Sequence, residues 1–343
     1  MSDAGERFAV IGATGAVGLE LLGLLAQAGV PAENVTALAS ARSAGAELLY
    51  GDAKVTARAL AEGAEKGHTI ALFAASSSIA KEWAPRFVEA GSVVIDNSSG
   101  YRMADGVPLV VPEVNGDRVR GDRSPRIIAN PNCSTIIMLV AANPLRAAFG
   151  CRRLIVSTYQ AASGAGIAAM RELEANAVRA LRGEEQVCDA LHEPAAFNVF
   201  SHDSAVDSET GLNVEETKMI EETRKIWNDP GVDVRPTCIR ASVMRAHSES
   251  MHIELDRPAS EADVRAALSG APGVRILDDR AANRFPTPLK AAGGHDVLIG
   301  RIRAGGPLDG DGRSREWELF ASGDQLLKGA ALNAWQIAAL VLA

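Results

Sequence analysis

Chemistry first becomes possible at a cysteine that opens an apolar, helix-forming run. Ile127-Ile128-Ala129 leads into Asn130-Pro131-Asn132-Cys133-Ser134-Thr135, and then into Ile136-Ile137-Met138-Leu139-Val140. The first run reads as the end of a strand and the second as a buried helix. Cys133 therefore stands at a helix N-terminus, where unpaired backbone N–H groups and the helix dipole favour negative charge. A thiol so placed ionises more readily than a free one, and the thiolate is the nucleophile. The same amides would stabilise an oxyanion on whatever the sulfur attacks. The alternative is a small residue filling a core, against which polar Asn132, Ser134 and Thr135 argue.

A second constellation lies near the N-terminus. Arg7-Phe8-Ala9-Val10-Ile11 breaks into Gly12-Ala13-Thr14-Gly15-Ala16-Val17-Gly18, spaced G-x-x-G-x-x-G, ahead of a helical pattern. Glycines at a strand–helix junction let the backbone approach a pyrophosphate seated on the helix N-terminus. After the next strand an NAD site usually carries an acidic residue for the ribose 2′-hydroxyl. This chain has Ser40-Ala41-Arg42-Ser43 instead. Arginine with two hydroxyls suits a 2′-phosphate and so NADP(H); a solvated surface turn is the alternative.

These groups must be positioned by elements that the pattern also reveals. Strands are expected at 7–11, 35–39, 69–74, 93–96 and 126–129, with helices at 19–29 and 80–91. Strands alternating with helices imply a doubly wound parallel sheet, an α/β architecture. Beyond Cys133 the pattern changes: a strand at 153–160, a helix at 167–181, a long irregular connection at 186–211 and an amphipathic helix at 214–227. Strands at 234–245 and 250–255 read as an antiparallel pair. Ser260-Glu261-Ala262-Asp263 starts a helix, and 297–302 and 316–320 supply further strands around a Gly/Asp-rich loop. Strands now arrive in neighbouring pairs, which implies a second, α+β domain.

Bulk properties agree and exclude other classes. A chain of 343 residues is comfortable for two domains. We expect a dinucleotide-binding domain of residues 1–132 plus 325–343 and a catalytic domain of 133–324. A net charge of −8 argues against nucleic acid and anionic membrane as partners. Cysteines 133, 151, 188 and 238 are far apart and form no Cys-x-x-Cys pair, so no metal site or disulfide framework is expected. A reducing cytoplasm fits this usage. The polar leader, residues 1–7, gives no sign of a signal peptide. Apolar residues 329–343 are too few for a membrane span and include Asn333, Trp335 and Gln336, so they read as a docked helix.

Several blocks, in order along nearly the whole chain, resemble the aspartate-semialdehyde dehydrogenase family. They are Gly12 to Gly18, Asp96-Asn-Ser-Ser-Gly-Tyr-Arg102, Val111-Pro-Glu-Val-Asn115, Asn130 to Thr135, Thr158-Tyr-Gln-Ala-Ala-Ser-Gly-Ala-Gly166, Glu215-Glu-Thr-Lys218, Arg240-x₆-His247-Ser-Glu249 and Lys328-Gly-Ala-Ala-Leu-Asn333. The resemblance implies reductive dephosphorylation of L-aspartyl-4-phosphate to L-aspartate 4-semialdehyde with NADPH, on the route to lysine, methionine and threonine. It implies a Rossmann-like first domain and a second domain used for catalysis and homodimerisation. Cys133 resembles the nucleophile, His247 the acid–base residue and Gln160 the residue that orients substrate beside the sulfur. Arg240 resembles the clamp for the α-carboxylate, for which a planar guanidinium fork is suited. Arg102 and Lys218 resemble the phosphate ligands, Glu215 the partner of the ammonium, and Asn132 a residue holding phosphate or the cysteine loop. Cofactor contacts carried by the resemblance fall at Gly12, Thr14, Gly15, Ala16, Val17, Gly18, Ser40, Arg42, Ser43, Ser76, Ser163, Gly164 and Asn333. Taken alone, Glu215 and Lys218, three apart on one helix face, read as a solvated surface pair.

Three departures from the family pattern stand out: Ala74-Ala75-Ser76-Ser77 replaces a glycine-rich turn, Ala246 replaces a glycine before His247, and Gly323-Asp324-Gln325 replaces an Asp-Asn. None removes a catalytic group. N-acetyl-γ-glutamyl-phosphate reductase shares the chemistry, but there Pro-Gly typically precedes the cysteine, where this chain has Asn132. A non-catalytic paralogue would lack the nucleophile, which this chain keeps.

Overall fold

The structure is a computed structural model that describes residues 5–343; the first four residues of the polar leader lie outside the described residues. The described residues divide into two compact units, residues 5–132 with 330–343 and residues 133–329.

The first unit carries β1 (Phe8–Ile11), α1 (Ala16–Gln27), β2 (Val35–Ala39), a hairpin of β3 (Glu47–Tyr50) and β4 (Ala53–Thr56), and β5 (Arg58–Ala59). Then come β6 (Ile70–Phe73), α2 (Ser77–Glu89), β7 (Val93–Asp96), α3 (Pro112–Asn115) and β8 (Ile127–Ala129). Its main sheet runs β5-β2-β1-β6-β7-β8 with every pairing parallel. All four residues of β1, β6 and β7 are buried, as strands covered on both faces require. Strand order reverses between β1 and β6, the position at which doubly wound sheets bind ligands beyond their carboxyl ends.

The second unit opens with α4 (Cys133–Phe149), whose Ser134–Ala142 stretch is wholly buried. It continues through β9 (Arg153–Gln160), α5 (Ile167–Leu181), β10 (Val199–Ser201), α6 (Val214–Trp227), β11 (Asp233–Ala241) and β12 (His247–Ala259). Then follow α7 (Glu261–Leu268), β13 (Val274–Ile276), α8 (Pro288–Ala291), β14 (Val297–Ala304) and β15 (Ser314–Gly323). Its seven-stranded sheet has the order β10-β11-β9-β12-β15-β14-β13 and mixes parallel with antiparallel pairs. Helices α4, α6 and α7 pack on this sheet. A five-residue π-helical turn (Leu327–Ala331) and α9 (Leu332–Leu342) return the chain to the first unit.

Three expectations need correction. β11 and β12 do not pair with each other: β9 lies between them, parallel to β11 and antiparallel to β12. The connection between them is no tight hairpin, because the Val243 and Met244 carbonyls accept from the Ala162 and Ser163 N–H groups beyond the end of β9. The irregular connection contains β10, which pairs Val199 with Ala241 and Phe200 with Arg240. Residues 325–329 fall in the second unit, since Asp324 accepts from Arg245 Nε at 2.7 Å and Gln325 from the Ala246 N–H at 2.8 Å.

Candidate active site

Sheet register gathers the second unit's polar residues at one end. Side chains alternate along a strand, so Thr158 and Gln160 of β9 face the helices with Cys238 and Arg240 of β11, their paired neighbours. His247 opens β12 on the same face, one step before Ser248, which pairs with Tyr159. Gln160, Arg240 and His247 are each at most 1% exposed. The first residue of α4 meets this end: Cys133 Sγ lies 3.5 Å from His247 Nε2.

The histidine is oriented from behind. The Ala161 N–H donates to His247 Nδ1 at 3.0 Å, which leaves the proton of the neutral ring on Nε2, toward the sulfur. Burial, and then the Arg240 guanidinium, push its pKa down to about 3. The ring is therefore neutral at physiological pH. Two glycines make room here. A Cβ on Gly164 would come within 3.1 Å of the His247 ring, and one on Gly329 within 2.9 Å of Cys133 Cβ. Ala246, just before the histidine, adopts φ 75°, the left-handed region in which a glycine costs nothing.

Around this pair sit the charged groups. Gln160 donates to Glu215 at 3.2 Å and accepts from the Thr158 hydroxyl at 3.1 Å. Lys218 donates to the other Glu215 oxygen at 3.1 Å. Glu215 is buried, so this is not the solvated surface pair that helix spacing alone suggests. Arg240 donates to the Ala161 carbonyl, to Asp203 and to His202. Ser163 is buried and receives a hydrogen bond from Gln325.

In the first unit the glycine loop fits a dinucleotide. Gly12 adopts φ 81°, and a Cβ there would lie 2.3 Å from the Ala74 carbonyl oxygen; on Gly18 it would lie 2.2 Å from the Gly12 oxygen. Since the backbone after β6 already abuts Gly12, the closeness that a glycine-rich turn would give is met from the Gly12 side. Gly15 caps α1, no side chain caps its first N–H groups and no acid lies in its first turn, which leaves that end open to an anion. Thr14, Gly15, Ala16 and Val17 are part-exposed. Ser40 and Arg42 are exposed at the carboxyl end of β2 and Ser43 partly so, and Arg42 has no ion pair among the described residues. Ser76 is the exposed N-cap of α2.

Other residues of this unit are tied internally. Arg102 donates to the carbonyls of Asn130 at 2.9 Å and Asn97 at 2.8 Å. Asn333 donates to Val110 O at 3.0 Å and Asn130 Oδ1 at 2.6 Å, so its amide braces the Asn130 loop. Asn132, the last residue before the chain passes to the second unit, is buried.

Family models match both units: "semialdehyde dehydrogenase, NAD binding domain" over residues 7–121 and "semialdehyde dehydrogenase, dimerisation domain" over residues 142–328. The aspartate-semialdehyde dehydrogenase of Synechocystis sp. is 43% identical over 336 residues, 98% of this chain and 97% of its own. The chain belongs to the aspartate-semialdehyde dehydrogenase family. The Aquifex aeolicus enzyme is 42% identical, with 98% of each chain covered. The crystal structure of aspartate semialdehyde dehydrogenase II from Vibrio cholerae, complexed with ASA, superposes with a TM-score of 0.91 at 38% identity and 98% coverage of both chains. Membership makes this chain an oxidoreductase of amino-acid biosynthesis with an NAD(P)-binding Rossmann domain and a dimerisation domain. Among the described residues no helix is long and apolar enough to cross a membrane, and no group of three or more His, Cys, Asp or Glu could hold a metal ion.

Sequence reasoning missed Asp203, His202 and the Ala161 N–H. The first two lie in the segment read as irregular, where periodicity carries no signal. Gly329, within Lys328–Asn333, carries no signal of its own in the sequence, and its neighbour in space, Cys133, is visible only in the fold.

Proposed function

We propose that this chain catalyses the reversible, NADPH-dependent reductive dephosphorylation of L-aspartyl-4-phosphate to L-aspartate 4-semialdehyde through a thioester on Cys133. The observation that carries the reading is the Cys133–His247 contact, 3.5 Å at the start of α4, beside Arg240, Gln160 and Glu215. Cys133 attacks the acyl carbon and the carbon–oxygen bond to phosphate breaks. The glycine loop Gly12–Gly18 would hold NADPH, which would supply the hydride that reduces the thioester carbon. The oxyanion then re-forms a carbonyl, the carbon–sulfur bond breaks and Cys133 leaves as the thiolate. The N–H on His247 Nε2 serves this sequence as a donor to sulfur and to the oxyanion in turn. We assign the α-carboxylate to Arg240 and the ammonium to Glu215. The phosphate roles of Arg102 and Lys218, and the roles of Asn132, Ser163, Gly164 and Asn333, rest on the family resemblance. Arg42 with Ser40 and Ser43, in place of an acid, supports NADP over NAD, and we assign the reaction to a cytoplasmic homodimer.

The decisive measurement mixes enzyme, NADP and aspartate semialdehyde without phosphate. One equivalent of NADPH per site should form, with an acyl group trapped on Cys133 by mass spectrometry, and phosphate should restart turnover. No burst, or an adduct on another residue, would overturn the mechanism. Faster turnover with the N-acetylglutamate analogue would overturn the substrate.

A further inference from the structure

The guanidinium assigned to the substrate carboxylate is already occupied. Arg240, 1% exposed, donates from Nε at 3.1 Å and from Nη2 at 2.5 Å to the same Asp203 oxygen. Nη2 also donates to His202 Nε2 at 3.0 Å, and Nη1 to the Ala161 carbonyl at 2.8 Å. Of five N–H groups only one, on Nη1, is left. A carboxylate gripped by two parallel N–H bonds uses Nη2 paired with either Nε or Nη1. Both grips run through Nη2, whose hydrogens are spent.

We propose that Asp203 is an internal stand-in for the substrate's α-carboxylate, holding the Arg240 fork in the empty enzyme and yielding it when substrate arrives. The inference rests on the reading of Arg240 as the carboxylate clamp. A buried guanidinium without a counter-ion is costly, so an empty site needs an anion of its own. Two carboxylates on one guanidinium repel, so substrate and Asp203 exclude each other. Burial raises the Asp203 pKa, but Arg240 outweighs it and holds the carboxyl below its ordinary value, so the group stays an anion. Its side chain is 22% exposed and follows the three-residue edge strand β10, so a turn about its own side-chain torsions takes it from Arg240 to solvent. His202 steadies the vacated arginine: its Nε2 accepts from Nη2, and its other nitrogen meets Ser204 Oγ, which accepts from the Glu215 N–H.

Competition of this kind divides the affinity for substrate by the fraction of sites left open, without touching the reacting bonds. The test is Asp203→Asn in the full-length enzyme, assayed with aspartate semialdehyde, phosphate and NADP. The KM for aspartate semialdehyde should fall about three- to tenfold, with kcat and the phosphate KM within about twofold. Asp203→Glu should return it toward the wild-type value, and an unchanged melting temperature with a wild-type kcat shows that each variant is folded. A semialdehyde KM that stays or rises in Asp203→Asn overturns the stand-in; a rise would mean that Asp203 holds substrate or merely orients Arg240. Arg240→Lys, in the same assay, tests the clamp separately and should raise the semialdehyde KM more than about tenfold. Without that rise the clamp reading itself fails. With it, an unmoved Asp203→Asn sinks only the stand-in.

Discussion

The Ala161 N–H pointing at His247 Nδ1 fixes what the imidazole can do. With Nδ1 accepting, an imidazolium would lose that bond and place a second cation close to Arg240, in a site with no exposure. In the proposed mechanism the ring would act as a neutral donor, and the reaction balances without asking it for a base, because the oxyanion collapses by expelling sulfur. The sign of the linkage follows. A folded pKa near 3 against about 6.5 unfolded means that the unfolded chain binds more protons between these values. Stability is thus lost as pH falls through that window, and His247 is one cause of acid lability. Nitrogen-15 chemical shifts of His247 should show a proton on Nε2 alone at pH 7 and no titration down to pH 5. A midpoint near 6.5 would refute the neutral donor. Cys133 is held as tightly from the opposite side. A methyl at Gly329 would overlap its Cβ, so Gly329→Ala must push the sulfur or the π-helical turn aside. We expect kcat about 10- to 100-fold lower, as misplacements of this size cost, with a stability loss of about 1–3 kcal/mol from overpacking. Single-turnover kinetics and thermal melting check both, and an unchanged kcat would show that the turn gives way without moving the thiol.

Strand β12 carries the site at its first residue and an unusual acid two residues on. Glu249 faces α4 with His247, is fully buried, and neither carboxylate oxygen has a hydrogen-bond partner. Burial pushes its pKa well above the ordinary range, so the side chain is held protonated. Because the folded pKa is raised, this acid favours the fold at pH below about 4.3 and the contribution is lost as pH rises. Glu249→Gln, neutral at every pH, should melt above the wild type at pH 8, with the difference vanishing near pH 4. Equal shifts at both pH values would mean that the effect is packing rather than charge. The same element shows where sequence ceases to be informative. Arg153–Gln160, Ile167–Leu181 and Val214–Trp227 were legible to the residue because period and end signals agree, as with the Asn213–Glu216 capping box of α6. The hairpin of β3 and β4 was not, since each strand buries only one sparse face. Nothing local to β11 or β12 says that β9 separates them. The place of Cys133 at the head of α4 and the glycine loop were readable because each lies at a junction of two local patterns. Asp203 was not, because it gains meaning only from Arg240, 37 residues away.

At the scale of the whole molecule, the face of the seven-stranded sheet opposite α4 is partly open, with the short helix α8 covering it only near Leu298. Alternation on β9 turns Ile155 and Tyr159 outward, 42% and 37% exposed, and Tyr159 lies beside Phe320 of β15 with ring centroids 6.4 Å apart. An exposed sheet face with aromatic rings suits an interface, and the dimerisation-domain match spans this sheet. A two-fold dimer would bring this face against its own copy, so each substitution counts twice. Sedimentation should therefore show twice the chain mass at micromolar concentration. Tyr159→Lys should weaken the dimer at least about tenfold, since it sets two ammonium groups into the buried patch. Tyr159 is also the residue before Gln160 on β9, one pointing out and the other into the site. Loss of the partner should then loosen the strand that holds Gln160 against Glu215. On that account the diluted variant loses kcat as its dimers dissociate, and recovers it at concentrations that restore them. Full activity in a monomer would separate assembly from catalysis and leave the outward face with a structural role alone.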